Sequence, residues 1–153
     1  MVDFRLATEE DQALMLSSRL EMMRVVNHLP DDYQFDPALV SQTEEAFRSI
    51  DQDTVFAMDS GRVIGCATAC YHAILPTFTN TSGRRAYILN VYTHQDYRRQ
   101  GIATRMMNML VEECRRRSIT EIDLDASPMG KPVYEKLGFA PQDHYEYLVL
   151  HLT

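Results

Sequence analysis

The stretch from Ala86 to Ala126 constrains the fold of this chain more than any other. Ala86 to Thr93 (AYILNVYT) is rich in β-branched and aromatic residues and reads as a strand. Arg98-Arg99-Gln100-Gly101 then leads into an amphipathic helix whose apolar stripe is Ile102, Met106, Leu110 and Cys114, with Met109 alongside. Arg115-Arg116-Arg117 closes that helix, placing cations where its carbonyl end favours them. Glu121 to Ala126 (EIDLDA) alternates charged and apolar residues, the mark of another strand. Strand, helix and strand in this order predict a right-handed crossover between parallel strands. The chain is therefore expected to be a mixed α/β protein.

The flanks agree. Phe4 to Ala7 is a short strand candidate, and Thr8 can cap a helix with Glu9, Glu10 and Asp11 in its first turn. Leu16, Leu20 and Met23 carry that helix to about Asn27, and Pro30-Asp31-Asp32 breaks it. Asp36 as N-cap and Pro37 at the first helical position open a second helix. Thr54–Met58 and Arg62–Ala67 flank Asp59-Ser60-Gly61, a hairpin signal. The loop from Leu75 to Arg85 either shapes a binding entrance or lies idle on the surface. Pro132 to Leu137 is a short helix closed by Gly138, and Tyr145 to Leu152 reads as a final strand. No repeat or linker divides the chain, so one domain over residues 1–153 is expected.

Charge and composition narrow the partners. A formal net charge of −7 argues against a nucleic-acid binder and suits a cationic acceptor such as a polyamine or a lysine side chain. No apolar run approaches the ~20 residues that cross a bilayer, and the N-terminus shows no signal pattern, so no membrane partner and a cytoplasmic location are expected. Cys66, Cys70 and Cys114 have neither metal-ligand nor disulfide-framework spacing and are read as small buried apolar residues, with no metal site.

The chemistry is expected around Gly101. A glycine at the mouth of a helix lets backbone approach a ligand, and the free N–H groups of the first turn make an anion site suited to a pyrophosphate. Alone, that segment is equally an ordinary loop leading into a helix. Its surroundings are more specific: R-x-x-G-x-A at Arg98, Gly101 and Ala103 follows the strand Leu89-Asn90-Val91-Tyr92-Thr93 and precedes Tyr134-Glu135-Lys136-Leu137-Gly138-Phe139. Together these resemble the GCN5-related N-acetyltransferase (GNAT) family, at motif level over Ala86 to Ala140 and in order of elements over the whole chain. The resemblance implies a mostly antiparallel sheet with a splayed central parallel pair and helices on both faces. It implies acetyl-CoA as donor, transfer of the acetyl group to a primary amine of a small molecule or peptide, and a tyrosine general acid.

Roles follow from the resemblance residue by residue. Arg98, Arg99, Gln100, Gly101, Ile102, Ala103 and Thr104 would hold the coenzyme A pyrophosphate, mostly through backbone N–H groups. Val91, Tyr92 and Thr93 would pair with the pantetheine arm as if it were another strand, and an N–H near Val91 would polarise the thioester carbonyl. Tyr134 would protonate the departing thiolate, a task a phenol of pKa ~10 can perform at neutral pH. Ser127 stands where the family often has Asn, and it could bind a coenzyme A amide or simply cap a helix. Asn90 is a polar residue in an apolar strand, either locally hydrogen-bonded or positioning a water or the acceptor. His94 and Asp125 are the candidates for a general base. Tyr33, Phe35 and Tyr71 are placed on the acceptor side. An acyl-CoA sensor without turnover is the competing expectation, and pairing of C-terminal edge strands would give a homodimer.

Overall fold

The computed structural model describes residues 1–152. Its chain opens with strand β1 (Val2–Leu6), then a 3₁₀ turn (Glu9–Asp11) that runs into helix α1 (Gln12–Val26). The turn is fixed by a reciprocal cap: Glu10 N–H donates to Thr8 Oγ1 at 3.3 Å, and Thr8 N–H donates to the Asp11 carboxylate at 2.7 Å. Arg5 grips the same carboxylate through two hydrogen bonds of 2.8 and 2.9 Å, which ties β1 to the start of α1.

Helix α2 (Pro37–Ser49) starts as its sequence dictates, with the Asp36 carboxylate accepting from Ala38 N–H at 2.8 Å and Pro37 in the first turn. Strands β2 (Gln52–Asp59) and β3 (Arg62–Ala73) form the expected hairpin, but its loop is shorter than the three residues marked in the sequence. Asp59 still pairs with Arg62, so Ser60 (φ 52°) and Gly61 (φ 79°) alone turn the chain, both left-handed as a tight hairpin requires. Next come β4 (Arg84–Thr93), helix α3 (Ile102–Arg116), β5 (Ile122–Leu124) and helix α4 (Lys131–Lys136).

The strands form one five-stranded sheet in the order β1-β2-β3-β4-β5. Every pair is antiparallel except β4 with β5, which is parallel. Helices cover both faces. On one, Met106, Met107, Leu110 and Cys114 of α3 are fully buried against Val55, Ala57, Ile64, Ala67 and Ile88. On the other, Met15 of α1 packs on Phe56, Cys66 and Tyr92. Each such side chain contributes roughly 1.5–3 kcal/mol, so the crossover helix is the main fastener of the sheet. No helix among the described residues is long and apolar enough to cross a membrane.

Two expectations are corrected. β3 runs to Ala73, six residues beyond the strand read from its sequence, because its distal half pairs with β4 from Arg84 to Leu89. The expected final strand, Tyr145 to Leu152, does not form, and among the described residues β5 has no strand partner on one edge. Tyr145, Tyr147, Leu148, Leu150 and Leu152 stand 81 to 86% exposed. β-propensity alone cannot make a strand; it needs a paired edge and a covered face.

Candidate active site

The centre of the site is an irregularity in β4. Cys66 of β3 lies opposite Tyr92 and Thr68 opposite Leu89, so two steps along β3 match three along β4. The extra residue makes a bulge, and Asn90 sits in it with φ 62°. Asparagine tolerates that left-handed conformation better than the β-branched and aromatic residues around it. Its side chain is 6% exposed and donates to Thr68 Oγ1 at 3.1 Å, while its Oδ1 accepts from Arg19 at 3.4 Å. The Cys66 thiol donates to the Asn90 carbonyl at 3.4 Å, and burial pushes that thiol up to about 12. Asn90 is thus locally hydrogen-bonded, and it also lines a pocket.

Beyond the bulge the parallel strands part. β5 pairs with β4 only from Ala86 to Ile88, which leaves the β4 edge from Leu89 to Thr93, Val91 and Tyr92 included, without a strand partner on that side. Tyr92 turns its ring into the α1 core. Thr93 offers its carbonyl to Arg98 Nε at 3.2 Å, a contact that folds the Arg98 side chain back on the strand.

The loop between β4 and α3 is built to expose donors. Arg99 (φ 62°) and Gly101 (φ 75°) are both left-handed, and Gly101 is the N-cap of α3 without any side-chain cap. The first backbone bond of α3 runs from Arg105 N–H to Gly101 O at 3.0 Å. Among the described residues, no hydrogen-bond partner satisfies the N–H groups of Arg99, Gln100, Gly101, Ile102, Ala103 and Thr104. Arg98, Arg99 and Gln100 are exposed, Ile102 is buried under the sheet, and Ala103 and Thr104 lie half-buried behind the loop. This concentration of bare N–H groups at a positive helix end has the makings of an anion cradle.

Tyr134 is 9% exposed and packs edge-on to Phe139, with ring centroids 6.1 Å apart. Gly130 makes room for it: a Cβ there would fall 2.8 Å from the tyrosine ring. Burial raises the phenol above its ordinary pKa, so its proton is held through neutral pH. The ring lines a cleft of about 380 Å³ between Ile122 and Leu124 of β5 and the segment Phe139–Gln142. Ser127 accepts from Gly130 N–H at 3.1 Å, so its hydroxyl caps the turn that starts α4.

A second pocket, of about 240 Å³, opens on the opposite face of the sheet beside the bulge. α2 supplies Thr43, Ala46 and Phe47, the sheet supplies Thr68, Leu89 and Asn90, and α1 supplies Arg19. The expected acceptor-side tyrosines are elsewhere. Tyr71 faces the α3 core, donating to Asp53 at 2.7 Å beneath Arg117, whose guanidinium lies 3.8 Å from the ring centroid. Tyr33 packs edge-on to Phe35 at 5.1 Å in the loop after α1 and does not line the pocket. His94 is occupied as a cap, accepting from Asp96 N–H at 3.2 Å, and Asp125 accepts from the Tyr87 hydroxyl at 2.6 Å. The loop before β4 turns away as well, its Asn80 donating to Glu121 at 2.9 Å beside the start of β5.

Comparison with known proteins decides the family. The sequence model of the Acetyltransferase (GNAT) family matches residues 20–139. The chain belongs to the GNAT acetyltransferase family. A glucosamine 6-phosphate N-acetyltransferase of Trypanosoma brucei brucei is 28% identical over 140 residues, 91% of this chain and 90% of that protein. The crystal structure of a predicted acetyltransferase of Clostridium acetobutylicum with acetyl-CoA superimposes with a TM-score of 0.82 at 32% identity, over 97% of this chain and 96% of that one. An acetyltransferase of Trypanosoma brucei matches with a TM-score of 0.71 at 26% identity, over 98% and 100% of the two chains.

Within this GNAT chain, the sequence pointed to the Arg99–Thr104 loop, whose N–H groups are bare, to the β4 edge, which is open, and to Tyr134, which is buried, but it gave no pocket. Arg19 had a signal: it is the one cation in the middle of an apolar helix, between Leu16 and Leu20. Thr68, Ala46 and Phe47 had none, because only the bulge and the seat of α2 bring them together.

Proposed function

We propose that this GNAT protein transfers the acetyl group of acetyl-CoA to a primary amine of a small molecule or peptide. The observation that carries the reading is the run of unsatisfied N–H groups from Arg99 to Thr104, beside a β4 edge that β5 leaves open. These features fit the donor: the cradle suits its pyrophosphate, and the edge from Val91 to Thr93 suits its amide-rich arm. When bound, the donor supplies an acetyl group activated as a thioester. An N–H near Val91 polarises the carbonyl oxygen of that group, an electrostatic aid of the oxyanion-hole kind. Tyr134 holds a proton at Oη for the departing sulfur, and its buried ring keeps that proton in place. Ser127 retains two possible duties, capping and contact with the donor.

The amine enters by the pocket at the bulge, where Asn90 positions it or a water that takes its proton. Neither His94 nor Asp125 lines that pocket, which speaks against either as a direct base. The trypanosomal relative makes glucosamine 6-phosphate one sensible amine to include in a first panel. Tyr134→Phe tests the assignment. Turnover should fall about 10²-fold or more while affinity for acetyl-CoA stays unchanged. Full turnover by the variant would remove Tyr134 from the mechanism, and acetyl-CoA binding without turnover by the wild type would favour the sensor.

A homodimer belongs to the same reading. The exposed apolar side chains of Tyr145–Leu152 and the unpartnered edge of β5 are complementary needs on one chain, and a second copy can meet both.

A further inference from the structure

Half-buried arginines in this protein come with acids. Arg24 pairs with Glu21 and Asp31 at 2.7 and 2.8 Å, Arg85 pairs with Glu121, and Arg117 lies 3.1 Å from Asp51. Arg19 is half-buried too, yet among the described residues no carboxylate pairs with it. Among those residues its one side-chain hydrogen bond goes to the neutral Asn90 Oδ1, at 3.4 Å. Burial depresses its pKa, and among the described residues the groups near enough to oppose that are the thiols of Cys66 and Cys70, whose own burial keeps them protonated and neutral. A guanidinium stays ionised nevertheless, so a positive charge is held in a largely apolar pocket without a counter-ion.

The rest of the pocket sharpens the point. Gln42, Thr43, Gln52, Thr68 and Asn90 are its polar residues, and none is acidic. A chain of net charge −7 has thus kept carboxylates out of the cavity beside its bulge and put an arginine there. A polyamine, which the overall charge favours, would meet no carboxylate and one like charge. A carboxylate or phosphate on the acceptor would supply the charge that Arg19 lacks, in the planar two-pronged geometry a guanidinium offers. The volume of about 240 Å³ suits a small molecule.

We infer that the acceptor is a small primary amine carrying an anionic group, with Arg19 of α1 binding the anion and the bulge at Asn90 facing the amine. The inference rests on the acetyl-transfer reading and names the substrate class for that site. Arg19 is then a specificity-determining residue, and the acid-free pocket leaves the amine free to reach the bulge unpaired by any carboxylate.

Matched acceptors provide the test: ethanolamine phosphate against ethanolamine, β-alanine against β-alaninamide, and spermidine as the cationic competitor. Coenzyme A release is measured for each with the wild type, Arg19→Gln and Arg19→Lys. The wild type should prefer an anionic member over its neutral partner by at least about tenfold in kcat/KM. Which pair shows the preference tells phosphate from carboxylate. Arg19→Gln should collapse the preference mainly by raising KM, Arg19→Lys should restore part of it, and acetyl-CoA affinity should be the same in all three as the check on folding. Equal use of both members, a preference for spermidine, or an equal loss on both members in Arg19→Gln would overturn the inference. If no acceptor turns over, the acetyl-transfer reading fails by itself, and calorimetry with the same compounds decides the site. Binding of an anionic member to the wild type but not to Arg19→Gln sustains it, and no such binding ends it.

Discussion

Asn90 carries more of the site than any other single residue, because it holds a left-handed backbone, a buried amide and the pocket wall together. Replacing it separates these duties. Asn90→Gly keeps the conformation and loses the bonds to Thr68 and Arg19; Asn90→Ala also incurs left-handed strain of about 1 kcal/mol. Urea unfolding should therefore rank the wild type above Asn90→Gly and Asn90→Gly above Asn90→Ala. The reverse order for the two variants would mean that the bulge does not hold its conformation in solution. Tyr134 makes a pH prediction. Its pKa is raised by burial from an ordinary value of about 10, so the acid form is the populated one below that value. The profile of kcat should show no alkaline decline from this group before about pH 10, and a Tyr134-dependent decline near pH 8 would place the phenol in a different environment.

At the scale of elements, the ends of the helices govern stability and shape the proposed donor site. The Asp11 carboxylate, gripped by Arg5 and Thr8, is held well below the usual carboxylate range. A depressed folded pKa contributes stability that is complete above the unfolded value, about 3.9, and fades as the pH falls below it. Asp11→Asn should cost about 1 kcal/mol near pH 7, measured by chemical unfolding, with the difference shrinking below pH 4. A constant difference from pH 7 to pH 3 would contradict the assignment. Caps such as Thr8 and Asp36 and the Gly101 mouth of α3 were legible in the sequence because each depends on neighbours within a few residues, and the crossover because each of its strands and its helix carries its own local pattern. The bulge was hidden because it is a mismatch between Cys66–Thr68 and Leu89–Tyr92, distant in sequence. Tyr71 misled for a related reason. Its face of β3 is set by pairing with Ala86, which turns it toward Asp53 and Arg117 and away from the pocket.

On the scale of the whole molecule, one sheet separates the two halves of the proposed site. Its α3 side and splayed edge present the cradle and Tyr134, while the α1–α2 side encloses the pocket, with the bulge lying between them. The C-terminal segment stands outside both. A chain ending at Gln142 should sediment as a monomer if the exposed Tyr145–Leu152 segment joins two copies, whereas an unchanged mass would place that segment elsewhere. The central claim concerns the cradle, and titration calorimetry with acetyl-CoA tests it most directly, run on the wild type beside an Arg99→Glu, Gly101→Glu double variant. Saturable binding to the wild type, lost in the variant while its thermal unfolding stays cooperative, is the predicted result. Absence of binding to the wild type, or undiminished binding to the variant, would contradict the account.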